Sequence, residues 1–193
     1  MDRDRLTAFT DGVIAVIITI MVLEMKAPHG ADIYALLELW PVFLSYVLSF
    51  IYVGIYWNNH HHFFQLTPEV NGAILWANLH LLFWLSLVPF ATSWVGENGF
   101  AAGPAAAYGA VLLMCAIAFF VMERVIVAAQ GADSPLKRAV GIDLKGKLSP
   151  FVYLSGVALA FYMPAISYAL YALVALIWLV PDRRVEKVMA GNR

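Results

Sequence analysis

Four stretches of the chain are apolar for about the 20 residues that a helix needs to cross the hydrocarbon of a bilayer. They run over about 6–26, 35–58, 70–95 and 104–129. Pro28, His29 and Gly30 end the first. Thr67-Pro68-Glu69 reads as the N-cap, first-turn proline and first-turn acid of the third. Gly96 to Gly103 reads as a turn, with Gly103-Pro104 opening the fourth. Residues 130–147 form a polar linker in which Ser134-Pro135 signals a short interfacial helix. The stretch from Leu148 to Val180 is long for one straight span and short for two. With Ser149-Pro150 at its start and Pro164 near its middle, it is either one kinked helix or a hairpin over about 148–163 and 165–180.

The basic residues choose between these, because Lys and Arg of short loops favour the cytoplasmic side. Six spans with both termini inside place eleven of the twelve Lys and Arg residues in the cytoplasm, Lys26 being the exception. Five spans would put the tail with Arg183, Arg184, Lys187 and Arg193 outside. The expected fold is all-α, with six transmembrane helices in one membrane domain over 1–193, set in the cell membrane with both termini cytoplasmic. The two halves share no visible repeat, which points to a subunit that builds its site by oligomerising rather than to an inverted-repeat transporter.

Composition agrees with the pattern. Of 193 residues, 62% are hydrophobic and only 13% charged, with a mean hydropathy of +0.77. A soluble domain is about half apolar and a quarter charged, so polar side chains are too few here to cover a water-facing globule. The single cysteine, Cys115, lies in an apolar run and excludes an intrachain disulfide. Glu24 and Lys26 stand where a signal peptide would carry its small-residue cleavage site, so the first span is expected to be retained.

The topology gathers polar residues near one face of the membrane. Arg5 and Asp11 lie at the inner end of the first span. Asn58, Asn59 and the run His60, His61, His62 end the second; Asn78 and His80 lie two to three turns into the third. Intramembrane polar groups face partners or water rather than lipid. An interhelical hydrogen-bond cluster is therefore expected, with Asp11 paired in it. Successive helical side chains point about 100° apart, so three adjacent histidines do not converge on one metal ion. No Glu-x-x-His pair, phosphate-binding glycine loop or nucleophile elbow is present. Neither a metal, nor another cofactor, nor an enzyme is expected. Trp40, Trp57, Trp94 and Trp178 fall near predicted helix ends, while Trp76 and Trp84 are expected to pack between helices.

In the first span, Val16, Ile20 and Leu23 recur at i, i+4 and i+7 and share a face, with Thr19 beside it. Taken alone, such a stripe reads as lipid-facing or packed aliphatics, with Thr19 bonded to its own helix. The segment "RLTAFTD" adds to this. It resembles the Arg-x-x-x-Phe-Ser-Asp motif that opens helix 1 in the transmembrane protein 175 family of potassium channels. The matching residues are Arg5, Phe9 and Asp11, with Thr10 in place of the serine. "YWNNHHHFF" at 56–64 and "NLHLLFWLSLVPFAT" at 78–92 also look like family segments.

The resemblance implies a homotetramer of single-repeat subunits around a central pore lined by helix 1. Potassium and other monovalent cations would permeate it, potassium modestly favoured over sodium. By offset from the motif, Val16, Ile20 and Leu23 would form hydrophobic constrictions and Thr19 a hydroxyl ring; Val16 is smaller than the family's usual Ile or Leu. The hydroxyl of Thr10 would join Arg5, Asp11, His60, His61 and Asn78 in a structural polar cluster. The alternative is a proton-coupled or small-solute transporter using Asp11 and the histidines, but that requires a midplane site.

Overall fold

The computed structural model describes residues 2–141 and 143–179. The basic tail with Arg183, Arg184, Lys187 and Arg193 lies outside the described residues, as does Val180 at the end of the last expected helix. Within them the chain forms helices α1 (Arg3–Leu23), α2 (Ile33–Leu37), α3 (Trp40–Gln65), α4 (Gly72–Leu85), α5 (Val88–Glu97), α6 (Ala102–Gln130), α7 (Pro135–Val140), α8 (Leu144–Leu159) and α9 (Pro164–Leu179). There is no strand among the described residues. Four segments are long and apolar enough to cross a membrane: α1, α3, α6, and α4 with α5 taken as one span.

Local chemistry explains the helix boundaries, some of which depart from the sequence reading. The third span opens at Asn71, whose Oδ1 accepts from the backbone N–H of Ile74 at 2.9 Å. Thr67 is not its cap. Its hydroxyl donates to Phe63 O at 2.7 Å and finishes α3 instead. Pro89 has no N–H to continue the ladder, and the span breaks at Ser86–Leu87 into α4 and α5. Ser134 caps α7, its hydroxyl accepting from Lys137 N at 3.1 Å. Ser149-Pro150 does not start a helix. Asp143 does, accepting from Gly146 N at 2.8 Å, and Pro150 lies inside α8.

The ambiguous C-terminal stretch is a hairpin, with a break at Ala160–Met163 before α9 begins on Pro164. Each of these helices has 16 residues. At 1.5 Å per residue that is about 24 Å, short of the ~30 Å hydrocarbon core.

Two buried clusters hold the bundle. One gathers Ile14, Ile17 and Met21 of α1 with Val53, Phe64, Ile74, Leu81 and Met122. The other is built on Tyr52, Tyr108, Tyr153 and Tyr171. Tyr171 is admitted by two glycines. A Cβ on Gly109 would sit 2.0 Å from its Oη, and one on Gly156 2.4 Å from its Cε1. Its hydroxyl then donates to Ala105 O at 3.2 Å, joining α9 to α6. Helix α1 packs against α3, α4 and α5, whereas α8 packs against α6 and α9. Trp84 is half-buried and donates to His80 Nε2 at 3.0 Å. Trp76 departs from expectation: it is 75% exposed and projects outward from α4.

Candidate functional site

The N-terminal half of α1 is fixed by a buried chain of three polar side chains. Asn78 Nδ2 donates to Thr10 Oγ1 at 2.9 Å, and Asn78 Oδ1 lies 2.8 Å from His60 Nε2. Because the amide nitrogen serves Thr10, its oxygen is the acceptor, and His60 carries its proton on Nε2. All three side chains are buried, so α1, α3 and α4 meet through bonds that water does not compete for. The ring of Phe64 lies 4.4 Å from that of His60 and covers it.

The remaining residues of the expected cluster take other partners. Asp11 is exposed and accepts from Trp57 Nε1 at 2.9 Å, a second link from α1 to α3. His61 stacks on Trp57 and lies 2.8 Å from the side-chain nitrogen of Gln65. Arg5 is exposed, with no side-chain partner among the described residues. The structure thus brings Thr10, His60 and Asn78 together and leaves Asp11, His61 and Arg5 around them.

A second buried polar chain, which the sequence reading missed, ties α3, α5 and α6. Thr92 Oγ1 lies 2.6 Å from Ser49 Oγ, which lies 2.9 Å from the Tyr108 hydroxyl. Its only signal in the sequence is small hydroxyl residues within apolar spans, the type that packs between membrane helices. At the C-terminal end of α1, Ser93 Oγ donates to Glu24 Oε2 at 3.3 Å and Lys26 pairs with Glu97 at 3.1 Å. Both contacts fix the end of α1 against α5.

With α1 held at both ends, its two faces differ sharply. Ile14, Ile17 and Met21 are at most 3% exposed, whereas Val16 is 54%, Ile20 40% and Leu23 78% exposed. Thr19 lies on the exposed face, its hydroxyl donating to Val16 O at 2.9 Å. That bond uses its one proton and leaves oxygen lone pairs facing outward. Ile18 is half-buried and packs on the core. A groove of about 780 Å³ runs along this face, between Phe9, Val16 and Ile20 on one side and Phe90 and Trp94 on the other. The groove is mainly apolar, with Glu24 and Glu97 among its lining residues, and no cluster of three metal-ligating side chains is present among the described residues.

Comparison with known proteins gives this surface its setting. The family model described as the endosomal/lysosomal potassium channel TMEM175 matches residues 5–89. A potassium channel of Chryseobacterium sp. (strain P1-3) is 54% identical over 192 residues, covering the whole of both chains. The chain belongs to the TMEM175 family. A second relative, a potassium channel of Streptomyces collinus, is 32% identical over 188 residues, which is 91% of this chain and 90% of the relative. The fold matches the crystal structure of a lysosomal potassium-selective channel TMEM175 homolog from Chamaesiphon minutus. The TM-score is 0.80 at 29% identity, over 93% of this chain and 97% of that one. TMEM175 proteins are ion channels and not enzymes. The family match contains both the Thr10–Asn78–His60 chain and the entire exposed face of α1.

Proposed function

We propose that four copies of this chain form a potassium channel in the cell membrane, with α1 lining a central pore. The observation that carries this reading is the two-sidedness of α1. One face is sealed into the subunit and the other is an uncovered aliphatic stripe that also bears Asp11 and Thr19. Exposed polar groups on a membrane helix favour water or a partner over lipid. Around a fourfold axis, Val16, Ile20 and Leu23 converge as successive apolar rings. Such rings gate by dewetting and make an ion shed part of its hydration. Potassium holds its water less tightly than sodium and is moderately favoured. The outward lone pairs of Thr19 replace part of the lost hydration between the rings of Val16 and Ile20.

In this arrangement the Asp11 carboxylate stays with Trp57 near one membrane face, so it does not supply a midplane transport site. The α8–α9 hairpin completes six spans with both termini cytoplasmic, in keeping with the placement of the basic residues. Permeation is tested with purified protein in liposomes under a potassium gradient. Potassium uptake is expected, and an equal gradient of sodium should give slower uptake. Absence of potassium flux from liposomes that contain assembled protein would overturn the reading.

A further inference from the structure

The C-terminal part of α6, the short helix α7 and the start of α8 present exposed cations. Arg124, Lys137, Arg138 and Lys147 are all exposed. None of them pairs with a carboxylate among the described residues, where the two ion pairs are Arg3–Asp4 and Lys26–Glu97. The turn of α6 that carries Arg124 and the turn of α8 that carries Lys147 border one cavity, lined by Phe120 and Glu123 on one side and by Asp143 and Gly146 on the other. Glu123 itself is 9% exposed and turns inward, onto a cavity that it shares with Asn59, Tyr153 and Trp178. Asp143, on the same cavity, is occupied in capping α8. The carboxylates therefore lie behind the rim and the cations in front of it.

Directly outward of these cations the same helix faces become apolar. On α6, Phe120 and Val121 precede Arg124 by four and three residues and are 39% and 37% exposed. The guanidinium lies 4.8 Å from the centre of the Phe120 ring, which holds it at the helix surface. On α8, Phe151 and Leu154 follow Lys147 by four and seven residues and are 68% and 55% exposed. Residues at these spacings share a helix face. The two helices pack side by side. Together they offer two cations on facing turns and exposed apolar side chains beyond them. Trp178 donates to Ser149 at 2.9 Å and pins the start of α8 to α9, so this surface is held in place.

We infer that the rim between α6 and α8 binds an anionic phospholipid, its phosphate between Arg124 and Lys147 and its acyl chains along Phe120, Phe151 and Leu154. Lys137 and Arg138 on α7 add attraction at longer range. Basic residues on membrane helices next to an apolar surface recognise acidic headgroups in this way. Charge complementarity selects the occupant, because a zwitterionic lipid offers the same tails without net charge. This binding does not depend on α1 forming a pore, and its test does not use ion flux.

The purified protein in detergent is titrated with dioleoyl phosphatidylglycerol or dioleoyl phosphatidylcholine, with binding read by native mass spectrometry. Phosphatidylglycerol is expected to bind more tightly than phosphatidylcholine. Each basic residue near a headgroup contributes about fivefold, so the Arg124→Gln/Lys147→Gln double variant should bind phosphatidylglycerol about 25-fold more weakly. Lys26→Gln, at the other end of the bundle, should bind it as the wild type does. Equal affinity of the wild type for the two lipids would overturn the assignment, as would unchanged phosphatidylglycerol binding by the double variant. Should the double variant not purify, Lys147→Gln alone decides: an approximately fivefold loss supports the site, and an unchanged affinity overturns it.

Discussion

Ile20→Asn and Leu23→Ala are expected to raise potassium conductance by about tenfold or more and to reduce its preference over sodium. Both side chains lie on the uncovered face of α1, so neither substitution opens a cavity in the subunit core. A ring of four leucines or isoleucines excludes water because nothing in it replaces water's hydrogen bonds. In the proposed tetramer, trimming Leu23 to Ala would widen the ring at that position and allow it to wet. Placing an amide at position 20 would stabilise water within the apolar ring proposed there. Removal of about 1.4 kcal/mol from the barrier multiplies the rate about tenfold, and four equivalent changes act together in a tetramer. Selectivity falls for the same reason, since an ion that keeps its water passes whatever its hydration energy. Single-channel recording reads both effects. Ile18→Ala supplies the contrast: its side chain packs on the core, and its truncation should lower stability while leaving conductance near the wild-type value.

Asn78→Ala should be the most destabilising of the polar substitutions. It removes both hydrogen bonds of the buried chain at once and leaves the Thr10 hydroxyl and the His60 Nε2–H without partners. A buried group left unsatisfied costs about 1–3 kcal/mol. Polar contacts between membrane helices are often weaker, at about 0.6 kcal/mol on average. The expected loss is therefore about 1–4 kcal/mol per subunit, seen as a lower melting temperature and a smaller yield of assembled protein. Thr10→Ser retains the oxygen that accepts from Asn78 and should behave like the wild type, whereas Thr10→Val should lose roughly half as much as Asn78→Ala. Whatever Asn78→Ala protein assembles should keep its ion preference, because the chain lies behind the exposed face. A wild-type melting temperature for Asn78→Ala would show that this chain does not hold α1 in register.

Which of these features were visible in the sequence follows from their physics. Four of the expected spans rest on long apolar runs, and these survive in the structure as α1, α3, α4–α5 and α6. The boundaries depended on competition between neighbouring caps. Thr67 and Asn71 are both capping residues, and only the folded chain shows that Thr67 bonds back to Phe63 while Asn71 takes Ile74. Depth in the membrane brought Thr10, His60 and Asn78 to one level, because depth follows from counting residues. Rotation about the helix axis does not, and it separates Asp11 from its neighbour Thr10 by about 100°. Asp11 consequently meets Trp57, of which the sequence indicated only a place near a helix end. Trp76 projects outward for the same reason. The stripe of Val16, Ile20 and Leu23 was legible as a stripe, but only packing showed that the opposite face, Ile14, Ile17 and Met21, is the one sealed into the subunit.

The most direct test of α1 as the pore helix is the accessibility of single cysteines at positions 16, 18, 20 and 23 in liposome-reconstituted, conducting protein. Cys115 is fully buried and contributes no background. A small, membrane-impermeant thiol reagent, applied to the side opposite the chain termini, should modify Leu23→Cys first and then Ile20→Cys and Val16→Cys. Potassium flux should change with each modification, and potassium ions should slow the reaction at the two deeper positions. Ile18→Cys should stay unmodified. Reaction at position 18 with 16, 20 and 23 protected would contradict the account, because the aliphatic face of α1 would then be buried against a neighbour and the pore would lie elsewhere.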